Sequence, residues 1–207
     1  MPFCGNCRLH AMPGLRSFVA LFGALCLSAC ASLLPSPGAP LATQRNALQD
    51  FSLEARFSLR HEEKNHSGRL SWRHSGSKDD LLLSSPFGQG LAEIASDASG
   101  VRLTTSDGKV YAAIDAEALT QQVLGFPLPL DKLLDWVRGR SSGSASDALD
   151  TFGRPLRVRQ DGWRVDYEYD SDDPQALPGR LFIERAGVLE LRLRIDEWNL
   201  VRDEGGR

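Results

Sequence analysis

The 207-residue sequence has no cysteine after Cys30, so whatever folds beyond that point holds together by its core, without a disulfide or a thiolate metal site. Histidine is scarce as well: there are four, and His74 is the last. An α/β-hydrolase triad places its histidine after the nucleophile. The segment Gly139-Arg140-Ser141-Ser142-Gly143 matches G-x-S-x-G, but it follows a predicted helix and opens a loop, so it is not read as a nucleophile elbow. No glycine-rich phosphate loop is present, and basic charge is not in excess. Residues 1–29 carry two arginines and no acid, which leaves 22 basic and 27 acidic residues from Cys30 onward, a net charge of −5. Nucleic acid is therefore not an expected partner. The apolar run Phe18 to Leu27 is too short to cross a bilayer.

That short run has a meaning of its own, because Arg8 and Arg16 precede it and Leu27-Ser28-Ala29-Cys30 ends it. Charge, apolar stretch and small residues in that order read as a secretion signal. Leu-Ser-Ala-Cys resembles the lipobox of bacterial lipoproteins, which implies cleavage before Cys30, a diacylglyceryl thioether on its sulfur and acylation of its freed amine. Two or more chains anchor stably where one is marginal. The expected organisation is a signal over 1–29, a lipidated N-terminus and tether over 30–48, one domain over 49–201 and a polar tail over 202–207. The stretch Ala31 to Arg45 is rich in Pro, Ser and Ala, as flexible tethers are. The pair in Cys4-Gly5-Asn6-Cys7 would be discarded with the signal, and Met12 is an alternative start.

From Phe51 the pattern alternates: Phe51, Leu53, Ala55, Phe57 and Leu59 against Ser52, Glu54, Arg56, Ser58 and Arg60. This predicts a strand with one wet face. Further strands are expected at Arg69 to His74, Leu81 to Ser85, Leu91 to Ala95, Val101 to Thr105 and Lys109 to Ile114, with Asp107-Gly108 as a tight hairpin. The period then changes. Asp115 is placed to cap a helix over Ala116 to Leu124 that Gly125 closes, and Phe126-Pro127-Leu128-Pro129 breaks the chain before a second helix near Asp131. Leu130, Leu133, Leu134 and Val137 give that helix one face to bury, and Gly139 stands where a terminal glycine belongs. After a Ser/Gly loop, Arg140 to Ser146, alternation returns through Leu156 and Val158, the Asp161-Gly162 turn, Trp163 to Tyr169, Arg180 to Glu184 and Val188 to Trp198. Roughly nine or ten antiparallel strands are expected.

Strands with one apolar face each must curl around a common interior, and the two helices are left to cover it. The expected fold is mainly β, an incomplete antiparallel barrel with a helical lid. Its interior is either filled by side chains or holds a ligand, and alternation does not decide between them. His61, His66 and His74 lack the helix and spacing of H-E-x-x-H and read as solvated loop residues, so no metal is expected. The acidic residues alternate with arginines on wet faces, and no catalytic pair is nominated. The unusual segment is Pro86-Phe87-Gly88, a large aromatic at a turn tip where polar residues are the rule. Phe87 either folds back onto the core or stands out as a hydrophobic finger toward a membrane or partner.

From about Phe51 to Val201 the chain resembles the LolB family of outer-membrane lipoproteins. The resemblance rests on an ordered set: the lipobox, Gly68-Arg69-Leu70-Ser71-Trp72, Pro86-Phe87-Gly88-Gln89, Gly108-Lys109-Val110-Tyr111, Leu124-Gly125-Phe126-Pro127-Leu128-Pro129-Leu130, Trp136-Val137-Arg138-Gly139, Gly162-Trp163 and Trp198. It implies an incomplete barrel like that of the lipoprotein carriers, lined with apolar side chains. It also implies a receptor, not an enzyme, that takes lipoproteins from a soluble periplasmic carrier and inserts them into the outer membrane. Such a protein is a monomer anchored by Cys30, facing the periplasm and needing no cofactor. Pro86, Phe87 and Gly88 would form the membrane-insertion loop, with Phe87 where leucine is usual; Ala55 stands where glycine is common. Trp72, Leu133, Trp136, Trp163 and Leu191 are candidate lining residues of an acyl cavity, which the two helices would move to open. The competing reading is a structural lipoprotein whose filled barrel scaffolds a protein partner.

Overall fold

The computed structural model describes residues 48–140 and 146–200; Cys30, the expected signal, residues 30–47 of the tether, Ser141 and the polar tail lie outside them. The chain forms β1 (Phe51–His61), β2 (Lys64–Ser75), β3 (Lys78–Ser84), β4 (Gly90–Asp97), β5 (Gly100–Thr105) and β6 (Val110–Ala113). Two helices follow, α1 (Ala116–Leu124) and α2 (Leu130–Val137). The chain then adds β7 (Ser146–Leu149), β8 (Pro155–Gln160), β9 (Trp163–Glu168), β10 (Arg180–Arg185) and β11 (Leu189–Leu200). All belong to one antiparallel sheet ordered β6-β5-β4-β3-β2-β1-β11-β10-β9-β8-β7. Consecutive strands pair throughout, and β1 joins the two halves by pairing with β11. The edges β6 and β7 do not pair with each other. The helices arise from the segment that links those two edges, so the lid lies in the chain where the barrel stays open.

The apolar alternation sets the inner face. Phe51, Leu53, Ala55 and Leu59 are buried while Glu54, Arg56 and Arg60 are exposed. Along β11, Leu189, Leu191, Leu193 and Ile195 are buried, but the next inward residue, Trp198, comes three positions later. A register shift between Glu54 and Ala55 absorbs the extra residue, pairing Ala55 with Ile195 and Leu53 with Trp198. Such a bulge restores the period and bends the strand. Asp196, left over at the bulge, receives a two-point hydrogen bond from Arg56, at 3.0 and 2.8 Å. The outer face continues as paired charge, with Arg60 on Glu190, Arg157 on Asp166 and Arg180 on Glu168.

Asp115 caps α1, its carboxylate accepting from the Ala118 N–H at 2.7 Å, and Gly125 ends it in the left-handed region at φ 86°. That conformation costs a residue with a side chain and costs glycine little. α2 starts at Leu130, one residue before the expected Asp131, and Gly139 follows it at φ 68°. None of the described helices is long and apolar enough to cross a membrane.

Two expectations are corrected. Eleven strands form where nine or ten were expected, because β7, Ser146–Leu149, begins where the Ser/Gly loop was expected to end; four residues are too few to show a period. His74 is also no solvated loop residue: it is 5% exposed on β2, and its Nδ1 lies 2.8 Å from Asp79 Oδ1. His61 and His66 do flank the two-residue Glu62-Glu63 turn, but within the strands.

Candidate functional site

One part of the interior is filled with rings. Phe51 meets Trp72 edge-on at 5.8 Å and Trp198 at 5.4 Å between centroids, and Trp136 meets Trp163 at 5.6 Å. The polar edges of these rings are satisfied. Trp72 Nε1 donates to Asp79 Oδ1 at 2.8 Å, Trp136 Nε1 to Gln160 Oε1 at 3.2 Å and Trp198 Nε1 to the Pro178 carbonyl at 3.2 Å. Arg138 ties α2 into the same region, donating to the carbonyls of Leu134 and Leu48 and to Asp135 at 2.9 to 3.0 Å. It is 6% exposed, and burial lowers its pKa, with Arg140 adding to the effect.

The other part is hollow. A cavity of about 120 Å³ lies between α1, α2 and the inner face of β1 to β5 and β11. Its walls are Phe57 and Leu59 from β1, Leu70, Leu81, Leu83, Ile94 and Val101 from the next four strands, and Leu191 and Leu193 from β11. Ala116, Leu119, Thr120, Leu124, Leu128, Leu130 and Leu133 roof it. Thr120 is the single polar member, and its hydroxyl is already engaged: it donates to the Ala116 carbonyl and accepts from the Leu128 N–H, both at 2.8 Å. The wall therefore offers hydrocarbon and no free polar group, which suits an apolar guest. Larger hollows on the outer face are lined by Glu54, Arg73, Asp80, Glu93 and Arg102 and suit water. Gly68 keeps one wall thin, since a side chain there would collide with the Ser84 carbonyl and press on the Phe57 ring.

Of the five candidate lining residues, Leu133 and Leu191 line the cavity. Trp72, Trp136 and Trp163 do not; they belong to the packed ring cluster, at 0%, 0% and 4% exposure. The correction is physical: a large flat ring with an N–H needs a partner and fills space, so it anchors packing where leucine leaves a flexible wall. The leucines of β2, β3 and β11 and those of α1 were not singled out from sequence, although their alternation placed them inward.

Pro86, Phe87 and Gly88 form the tip between β3 and β4, beside the cavity wall, since Leu83 lines the cavity and the loop begins two residues later. The Gly88 N–H donates to the Ser85 carbonyl at 2.9 Å and the Ser85 N–H to the Gln89 carbonyl at 2.7 Å. Pro86 takes the turn position that wants a fixed φ, and Gly88 takes the left-handed one at φ 88°. The turn holds Phe87 outward, 95% exposed, so it does not fold back onto the core.

A family model described as outer membrane lipoprotein LolB matches residues 49–198. An outer-membrane lipoprotein LolB of Dechloromonas aromatica is 45% identical over 179 residues, covering 83% of this chain and 91% of that one. Another, from an Azoarcus species, is 40% identical over 190 residues, covering 91% and 96%. Among solved structures, a LolA superfamily protein from Nitrosomonas europaea aligns with a TM-score of 0.47 at 10% identity, over 78% of this chain and 91% of that chain. By the family model and the identity of its relatives, the chain belongs to the LolB family of outer-membrane lipoproteins, which serves lipoprotein localisation and not enzymatic catalysis.

Proposed function

We propose that this protein is the outer-membrane receptor of lipoprotein traffic: it accepts acylated lipoproteins from a soluble periplasmic carrier, shelters their acyl chains in the leucine-lined cavity and releases them into the inner leaflet of the outer membrane. The observation that carries the reading is the placing of an exposed Phe87 beside a cavity whose wall has no free polar group. At about 0.8 kcal/mol per buried CH₂, one long acyl chain gains on the order of 10 kcal/mol by leaving water. Cargo therefore needs cover across the aqueous gap, and transfer runs down a series of affinities from carrier to receptor to bilayer. Cys30 carries the lipid that keeps a single copy of the receptor in place.

At about 120 Å³ the cavity is smaller than the roughly 300–1,000 Å³ of ordinary ligand pockets, so it represents the closed receptor. Opening moves α1 and α2, the elements that roof it. The same closure favours the scaffold reading, in which the interior stays shut and the barrel only recruits a partner. Native mass spectrometry separates the two, because a receptor mixed with loaded carrier retains acylated cargo and a scaffold does not. For the finger, the test is Phe87→Glu. Delivery to vesicles is expected to fall at least tenfold with uptake from the carrier unchanged, and delivery at the normal rate would remove Phe87 from the mechanism.

A further inference from the structure

The sheet places the start of the folded domain and the Phe87 loop at opposite ends. Phe51 opens β1 beside His74, and Leu48, just before it, is held by Arg138. The Phe87 loop leaves β3 at Ser84, which pairs with Arg69, five residues along β2 from His74. At about 3.4 Å per residue those five steps are roughly 17 Å, and the loop adds several more, for a total of about 25 Å. Cys30 and Leu48 are eighteen residues apart. A chain of that length reaches at most about 60 Å, and as an unstructured coil its mean span is about 23 Å, close to the separation it has to cover. Effective concentration is greatest when a linker's mean span matches the gap.

We propose that the segment between Cys30 and Leu48 is a ruler: its length lets the anchored protein turn the Phe87 end toward the bilayer that holds Cys30, so that a receptor delivers cargo into its own membrane. This rests on the reading of Cys30 as the anchor and of Phe87 as the membrane contact. Removing residues 34–47 would leave four residues' reach, at most about 14 Å. The domain would then be held by its anchor end with the finger pointing away.

The test uses the chain from Cys30 onward, whose single cysteine couples to a maleimide lipid in preformed vesicles. Three coupled forms are compared: the natural tether, the tether lacking 34–47, and the shortened tether with fourteen Gly/Ser residues restored. Cargo-loaded carrier is added, and delivery is read both into the coupled vesicles and into a second, unmodified population. The shortened form is expected to lose at least tenfold in delivery to its own vesicle, with its uptake of cargo intact, and the Gly/Ser form to regain it. Uncoupled, the shortened protein is expected to deliver as the natural one does, which shows that its fold and finger are sound. Normal delivery by the coupled shortened form overturns the ruler. So does a Gly/Ser form that stays inactive, since sequence and not length would then matter. Failure of the finger reading is seen separately, when uncoupled Phe87→Glu delivers at the normal rate.

Discussion

Around Trp136 the inner face of the sheet is filled with rings; around Leu133, one helical turn earlier on α2, it is lined with aliphatic chains and left partly empty. The ring half is tied by directed bonds. Asp79 receives the Trp72 indole and lies against His74, Gln160 accepts from Trp136, and Arg138 reaches from α2 to Leu48. The hollow half has no such bond across the cavity, and its one hydroxyl joins the end of α1 to Leu128 within the roof. Hydrogen bonds have an angle to lose when a helix shifts. Contacts between aliphatic chains are many, weak and undirected, so they can part and reform around a guest. The same α2 thus has a fixed end and an end free to yield, and the division gives a lid its hinge.

The most severe way to challenge this division is Trp136→Ala. The ring is fully buried and stacked on Trp163, so truncation removes a large packed volume and is expected to cost about 3–5 kcal/mol in urea unfolding. A cost near 1 kcal/mol would mean that the ring half gives way as easily as the other and is no fixed frame. Asp79→Ala is the next step down. It deletes no large volume but leaves the Trp72 N–H buried without an acceptor, for an expected cost of about 1–3 kcal/mol. Asp79→Asn should recover part of that loss, because an amide oxygen still accepts the indole proton. If the two variants unfold alike, the bond to Trp72 is not what fixes this end.

Much of this arrangement is legible in the sequence and some of it is not. The alternation of Phe51 to Leu59, the Asp115 cap and the Asp161-Gly162 turn each depend on neighbours within a few positions, and the structure has them as read. Leu133 and Trp136 show the limit. Both lie on the buried face of α2, and period alone treats them as equivalent. What separates them is position along the barrel, set by which strands lie opposite: Trp163 of β9 for one, β1 to β5 for the other. His74 was misread for a similar reason, since its partner Asp79 comes to it only through the register of β2 with β3. Phe87 was the easier reading, because Pro86 and Gly88 specify a turn and a turn tip has nowhere to hide a ring.

Ile94→Phe is expected to have the smallest effect on stability and is the sharpest probe of the division. Ile94 sits on β4, half-buried, and faces the cavity. In a core packed to ordinary density the added atoms would force neighbours off their rotamers, typically at 1–3 kcal/mol. Here they have empty space to enter, so the unfolding free energy is expected to stay within about 0.5 kcal/mol of the natural protein. The space they take is the space proposed for acyl chains. Uptake of cargo from the carrier is therefore expected to fall several-fold in a protein that is as stable as before and carries an unaltered Phe87. Stability and uptake falling together would make the leucine half a packed core like the tryptophan half. Both staying unchanged would mean that cargo lies elsewhere on the protein, whereas loss of uptake alone assigns packing to the rings and cargo to the leucines.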